Sequence, residues 1–150
     1  MRKDRKHKSV ETHRIVIDYE EDLSDVEQKF YSDLKKDKIS AAVCKKCRKV
    51  ILPPPPYCPY CSTRLKPSDL VSLPNSAKVL SQTVVHYPYP EDFPLSPPFS
   101  IIVLKIPRAD TSFIINSKRL DIYLGDRVKI LPKRQKEKKG DITDIDIEKF

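Results

Sequence analysis

Cys44 to Cys47 reads CKKC and Cys58 to Cys61 reads CPYC, and these two pairs hold all four cysteines of the chain. Two residues between the cysteines of a pair let both sulfurs point at one centre about 2.3 Å away. Two such pairs facing each other complete a tetrahedral four-sulfur site, which suits Zn²⁺. A closed site of this kind leaves no position for water or substrate, so the sequence predicts a structural metal and not a catalytic one.

The same cysteines admit three other interpretations: two disulfides, one redox-active pair, or an iron centre. Disulfides need an oxidising compartment, but residues 1–8 are charged and lack the following apolar run of a signal peptide. A thioredoxin-type CxxC is a single motif in a βαβ setting, whereas this chain has two. Zinc is therefore favoured, and iron remains the main alternative.

The net charge of +8 over 150 residues comes from two segments. Residues 1–8 hold five basic residues against one acidic residue, and residues 132–139 have the same balance, so each contributes +4. Such runs are usually solvated, but they also suit a phosphate-bearing partner, either nucleic acid or a cofactor such as coenzyme A. From this charge we predict contacts with CoA phosphates at Lys133, Arg134, Lys136, Lys138 and Lys139.

Length and hydropathy predict a soluble protein. The 150 residues suit one domain, or a main domain with a small satellite. The longest apolar run is Ile101–Leu104, far short of the ~18 residues that a membrane span needs. We therefore expect a cytoplasmic protein with no membrane partner.

A short amphipathic helix precedes the cysteines. Ser24 and Glu27 have the spacing of a capping box, which marks a helix start. The apolar residues that follow recur every three or four positions, so they line one helix face. A helix this short is unstable alone and must pack on the rest of the chain or on a partner. The candidates for a partner-facing surface are Leu23, Val26, Phe30 and Leu34.

The remaining pattern predicts a ribbon followed by a barrel. Val50–Leu52 returns from the first cysteine pair as a strand, and Pro53–Pro56 forms a stiff connection to the second pair. After residue 76, five short β-branched segments predict strands, which close most economically as an OB-type barrel. The predicted strands are Lys78–Tyr87, Ser100–Ile106, Thr111–Asn116, Arg127–Leu131 and Asp141–Ile147. The predicted organisation is a basic tail and arm (1–19), an amphipathic helix (20–38), a zinc ribbon (39–66) and an OB-fold barrel (67–150).

This order of elements resembles the zinc-ribbon and OB-fold family of acyl-CoA-associated proteins, which often accompany thiolases in archaea and bacteria. The sequence departs from that family where glycine usually follows each cysteine pair, because Arg48 and Ser62 stand there. An arginine that usually stands two residues after the first ribbon proline is replaced by Pro55. The segments that carry the resemblance are Phe30–Ile39, Cys44–Cys47, Leu52–Pro54, Cys58–Cys61, Val79–His86, Pro98–Leu104 and Leu124–Ile130.

The resemblance implies a mainly β fold with an N-terminal helix, a rubredoxin-like four-Cys zinc ribbon and a five-stranded OB-fold barrel. It also implies a non-catalytic scaffold subunit, similar to one that bridges a thiolase and 3-hydroxy-3-methylglutaryl-CoA (HMG-CoA) synthase. Acyl-CoA would then be the ligand, held as a CoA thioester between the two partner enzymes.

The residues themselves give no catalytic constellation. His7 and His13 lie in or beside the basic tail, and His86 lies near a strand end, where histidine is more often packed or exposed than catalytic. The alternative function is nucleic-acid binding, because zinc ribbons and OB barrels both occur in such proteins and the chain is basic. That function needs exposed aromatic residues interleaved with Lys and Arg on the barrel strands, where this sequence has mainly Ile and Val.

Overall fold

The computed structural model describes Ile17 and residues 20–87, 95–132 and 145–150. Within them are one α-helix, α1 (Asp25–Lys35), a short 3₁₀ turn (Pro67–Asp69) and eight strands in two sheets. No helix in these residues is long and apolar enough to cross a membrane. Residues 1–16 and the basic segment 133–139 lie outside the described residues, so the contacts predicted there remain predictions.

The helix begins at the predicted capping box. The Glu27 carboxylate accepts hydrogen bonds from the Ser24 backbone N–H at 2.9 Å and from the Ser24 hydroxyl at 2.5 Å. The first of these bonds satisfies a backbone N–H that the helix cannot pair internally. The helix ends at Lys35, whose positive charge is stabilised by the negative C-terminal end of the helix dipole.

Three of the four apolar helix residues predicted to face a partner are instead buried inside this chain. Val26 and Phe30 are each 1% exposed and Leu34 is 4% exposed, whereas Leu23 is 40% exposed. Phe30 and Leu34 belong to the main core, and Val26 packs in the cluster around the cysteines. The partner-facing prediction is therefore wrong for these three, because the chain itself supplies the packing that the short helix needs. Leu23 remains a candidate contact residue.

The ribbon forms a three-stranded antiparallel sheet in the order β2–β1–β3. The first two strands lead into and out of the first cysteine pair. The third lies beyond residue 66, where the sequence predicts the end of the ribbon, so the ribbon sheet extends further along the chain than expected. The strands are β1 (Ser40–Val43), β2 (Val50–Ile51) and β3 (Leu70–Ser72).

The second sheet has five antiparallel strands in the order β6–β5–β4–β7–β8. All five predicted strands are observed close to their expected positions, although residues 141–144 of the last one lie outside the described residues. The strands are β4 (Ser76–Val85), β5 (Phe99–Lys105), β6 (Phe113–Ser117), β7 (Arg127–Pro132) and β8 (Ile145–Lys149).

The two edge strands of this sheet approach each other without pairing. Ser117 of β6 donates a hydrogen bond to Asp146 Oδ1 of β8 at 3.1 Å. The described parts of β6 and β8 share no ladder, so the sheet is not closed. The five strands are observed, and their closure into an OB-fold barrel remains a prediction.

One apolar core joins the helix, the ribbon and the five-stranded sheet. It contains Phe30 and Leu34 of α1, Ala41 and Leu52 of the ribbon, and buried sheet residues such as Ile102. A smaller cluster surrounds the cysteines. The ribbon is therefore packed into the rest of the molecule through side chains that belong to the main core.

Candidate metal centre

The two cysteine pairs adopt the same backbone turn. In each pair, the N–H of the first cysteine donates to the carbonyl five residues on, at 2.9 Å. The N–H four residues on donates back to the carbonyl of the first cysteine, at 2.8 Å. The partners are Lys49 and Arg48 for Cys44, and Thr63 and Ser62 for Cys58.

The four sulfurs come together as the spacing predicts. They all lie within 4.8 Å of one another, with Cys44 Sγ 3.5 Å from Cys61 Sγ and Cys47 Sγ 3.5 Å from Cys58 Sγ. Four sulfurs on arms of about 2.3 Å in a tetrahedron are about 3.8 Å apart, so the cluster fits a four-sulfur metal site. The distances are far too long for S–S bonds, and all four cysteines are free. The site therefore fits the predicted structural zinc and not a pair of disulfides.

The surroundings shift the pKa values of Cys44, Cys47 and Cys61 in different directions. Backbone N–H groups of Cys47 and Lys46 lower the pKa of Cys44 against the opposing effect of burial. The hydroxyl and backbone N–H of Thr63 lower the pKa of Cys61 to about 6. The Lys49 N–H acts to lower the pKa of Cys47, but burial and the three neighbouring thiols raise it to about 12. Thiols this close titrate as a group, and a divalent cation favours the thiolate form of all four, so metal binding should release protons.

Each cysteine turn ends in a residue with left-handed backbone geometry. Arg48 has a φ of 60° and Ser62 has a φ of 55°. These are the two positions where the resembled family usually has glycine, the residue that adopts this geometry without a steric penalty. A side chain here costs of order 1 kcal/mol or more, so both turns carry strain.

Replacing Arg48 or Ser62 with glycine is expected to raise the free energy of unfolding of the metal-loaded protein by up to about 1 kcal/mol each, because relief of about 1–2 kcal/mol of strain exceeds the roughly 0.5–1 kcal/mol entropic cost of glycine. Lys46→Gly is the matched control, since Lys46 lies in the same turn and is not among the positive-φ residues. That control should lose about 0.5–1 kcal/mol through the greater chain entropy of glycine. Urea denaturation midpoints measure all three, and a loss of stability in both turn variants would contradict the strain argument.

Asp69 holds the first cysteine turn against the 3₁₀ turn. It is buried, its Oδ1 lies 2.6 Å from the Lys45 ammonium, and its Oδ2 accepts from the Lys66 backbone N–H at 2.9 Å. The Lys45 ammonium and this N–H hold the pKa of Asp69 below its usual value despite burial. The aspartate therefore links the residue between Cys44 and Cys47 to the strand that completes the ribbon sheet.

Asp110 and Thr111, in the β5–β6 connection, clamp the ribbon strand β2 to the five-stranded sheet. Asp110 Oδ2 accepts from the Val50 N–H at 2.7 Å, and its own N–H donates to the Val50 carbonyl at 2.7 Å. The Thr111 hydroxyl accepts from the Leu52 N–H at 2.8 Å and donates to the Leu52 carbonyl at 2.7 Å. Asp110 also binds the Lys49 ammonium at 2.9 Å. The first cysteine turn and the strand that follows it are therefore bonded directly to the β5–β6 connection of the sheet.

Neither aspartate is among the residues predicted from the sequence, although one feature of the sequence points to them. Residues 39–68 contain six basic residues and no acidic residue. Any carboxylate that neutralises a lysine of the cysteine turns must therefore come from outside this segment. Asp69 and Asp110 fill that role, but only the tertiary structure identifies which of the 21 acidic residues do so.

Comparisons with known proteins support the interpretation of this segment as a zinc ribbon. Residues 32–65 match the family described as ChsH2, rubredoxin-like zinc ribbon domain. A Methanocaldococcus jannaschii protein named "DUF35 domain-containing scaffold protein" is 30% identical over 96 residues, which cover 63% of this chain and 67% of the relative.

Two solved structures share the fold. A Sulfolobus solfataricus protein of unknown function from the DUF35 family has a TM-score of 0.58 at 24% identity, over 73% of this chain and 79% of that one. A chain of the "Ltp2-ChsH2(DUF35) aldolase" has a TM-score of 0.56 at 20% identity, over 79% of this chain and 87% of that one. The zinc-ribbon match and the relative of which this chain covers two thirds confirm the family resemblance, and the chain belongs to the zinc-ribbon DUF35 family.

Proposed function

We propose that this protein is a non-catalytic scaffold subunit that handles acyl-CoA and bridges a thiolase and a partner acyl-CoA enzyme such as HMG-CoA synthase. The observation that carries the proposal is the family membership, because the Methanocaldococcus jannaschii relative is named a scaffold protein. The name of the aldolase neighbour also joins a DUF35 component to a second component, Ltp2. A role in binding other proteins is consistent with both names.

The chemistry of the metal centre supports a non-catalytic role. The cysteines are the strongest nucleophiles that a protein commonly offers, and all four of this chain lie in one cluster. A four-sulfur zinc site uses every one of them as a ligand and leaves no open position for substrate. The metal would then fix the ribbon, and the Asp110–Thr111 clamp would fix the ribbon to the sheet, giving the rigid surfaces that a bridging subunit needs.

The CoA part of the proposal rests on the basic segment between β7 and β8. Lys133, Arg134, Lys136, Lys138 and Lys139 lie in this connection, and we propose that they approach the phosphates of CoA. Lysine and arginine bind phosphate through charge-assisted hydrogen bonds, which are about twice as strong as neutral ones. The described structure does not include these residues, so charge alone supports this contact.

Size-exclusion chromatography with the thiolase from the same source tests the scaffold role. We expect the two proteins to elute together, and the mixture to bind CoA with a dissociation constant that rises when the five basic residues of the β7–β8 segment are replaced by glutamate. Substitution of Glu20, Glu21 and Asp22, three exposed acidic residues that precede α1, is a control that should leave CoA affinity intact. Separate elution would contradict the scaffold proposal. Unchanged CoA affinity in the glutamate variant would contradict the proposed contact with the CoA phosphates.

Nucleic-acid binding is the second candidate function, and the ribbon surface favours it. Tyr57 and Tyr60 are 56% and 55% exposed there, among the six basic residues of residues 39–68. Strands β5 and β6 argue against it, because Phe113 is buried there. Their half-buried or exposed residues include Ile101, Val103 and Ile114 but no aromatic residue. A single-strand binder should lose affinity steeply with added salt, so binding that is absent or insensitive to salt would exclude this function.

A further inference from the structure

Three cations stand in one row across the five-stranded sheet. Lys78 of β4 pairs directly with Lys105 of β5 on one side and with Arg127 of β7 on the other. The residues next to them along the strands, Val79, Leu104 and Val128, are buried. Because side chains alternate along a strand, all three cations project from the opposite, outer face of the sheet.

Like charges directly opposite each other destabilise a sheet. Elsewhere on this face a cation faces an acid, since Lys129 of β7 pairs with Glu148 of β8. Among the described residues, the ion pairs involve neither Lys78 nor Arg127. Lys105 donates to the backbone carbonyls of Asp110 at 2.9 Å and Thr111 at 3.5 Å, and its charge helps to lower the pKa of Asp110. Within the described part of the chain, the row therefore concentrates three positive charges of which two, those of Lys78 and Arg127, have no ion-pair partner.

The row lines a groove with apolar walls. The groove has a volume of about 690 Å³, and the cations share it with Ser76, Ala77, Pro107 and Phe150. Phe150 is 75% exposed, so its ring offers a face to a ligand without first leaving a packed core. Apolar walls lower the local dielectric constant, which strengthens the attraction between the cations and an anionic ligand. Grooves that combine mainly apolar walls with a few convergent polar groups are typical small-molecule sites.

We propose that this groove binds the diphosphate group of an organic phosphate ester, with the organic part against Pro107 and Phe150. Adjacent strands are about 4.8 Å apart, so three cations in a row span about 10 Å at the backbone, and their long side chains can converge on two linked phosphates. A single carboxylate would engage only part of the row. Both free nucleoside diphosphates and CoA carry a diphosphate, and only the second source rests on the scaffold function proposed above.

Isothermal titration with inorganic pyrophosphate, ADP and CoA tests the site in the zinc-loaded full-length protein. Lys78→Gln and Arg127→Gln are each expected to weaken pyrophosphate binding about tenfold, because each removes a charge-assisted contact. Lys129→Gln is the matched control, because Lys129 lies on the same strand and the same face of the sheet as Arg127. This variant should leave the affinity for pyrophosphate unchanged. Urea midpoints provide a second readout: Lys78→Gln should keep or raise the midpoint, since it relieves like-charge repulsion.

The outcomes separate this site from the scaffold role. Absence of pyrophosphate binding by the unmodified protein, or equal losses in Lys78→Gln and Lys129→Gln, would overturn the groove site whatever the result with the thiolase. Weakening of pyrophosphate, ADP and CoA together by Lys78→Gln would support a general diphosphate site. Tighter binding of CoA than of ADP, with both weakened by Lys78→Gln, would identify CoA as the source of the diphosphate.

Discussion

Replacing Cys44 with serine is expected to unfold the ribbon and, under the proposed scaffold function, to abolish thiolase binding in the same variant. A structural zinc site in small domains contributes about 10–16 kcal/mol of apparent binding free energy, and that energy is folding free energy. The whole stability of a domain is only about 5–15 kcal/mol, so loss of one of four thiolates is large on this scale. The effect should spread beyond the ribbon, because the first cysteine turn leads directly into the β2 strand that Asp110 and Thr111 clamp.

Two measurements together check this prediction. The metal content per chain should fall from one zinc to near zero, and the β1 and β2 amides should lose protection from hydrogen exchange. Lys46→Ala is the control, because Lys46 is exposed within the same cysteine turn and supplies no ligand. Chelation of the metal from the unmodified protein should reproduce the effect of Cys44→Ser. Survival of the thiolase complex after complete loss of metal would show that the ribbon does not hold the binding geometry.

Phe30→Ala is expected to lower the free energy of unfolding by about 3–5 kcal/mol, the usual cost of removing a buried phenylalanine. Phe30 is 1% exposed, packs in the core shared by helix, ribbon and sheet, and lies 5.3 Å from the Tyr31 ring, centroid to centroid. The loss combines the apolar area returned to water with the cavity left behind. Urea denaturation followed by far-UV circular dichroism gives the change directly.

Leu23→Ala is the matched variant on the same helix. Leu23 is 40% exposed, so its truncation should change stability by less than about 0.5 kcal/mol. If Leu23 contacts a partner, this variant should weaken the thiolase complex while folding normally. Similar stability losses for Phe30→Ala and Leu23→Ala would contradict the orientation of the helix described above.

The local features of this fold could be predicted because their causes are local. The Ser24–Glu27 capping box involves residues three apart, and the cysteine spacing determines where the sulfurs of one pair point. The strands of the second sheet follow from runs of β-branched residues that pack well on a pleated surface. In each case the physical interaction lies within a short stretch of chain, so a pattern in that stretch is enough to identify it.

The features that could not be predicted depend on contacts between distant residues. Asp110 binds Val50, which lies 60 positions earlier, and nothing near either residue indicates the other. The row formed by Lys78, Lys105 and Arg127 exists only because of the strand register, which a shift of one residue would destroy. The helix stripe shows the same limit: its periodicity predicts an apolar face but not whether this chain or another one covers it.

The Asp110–Thr111 clamp and the shared core together make the ribbon a part that cannot be exchanged alone. A ribbon excised from this chain would expose Ala41 and Leu52, and it would leave the polar backbone of Val50 and Leu52 without their partners. Chimeras that swap only the cysteine-containing segment between relatives should therefore fold poorly. A chimera that takes the β5–β6 connection from the same relative as the ribbon should recover normal folding. The two segments are distant in the sequence, but they form one interface and must therefore be exchanged together.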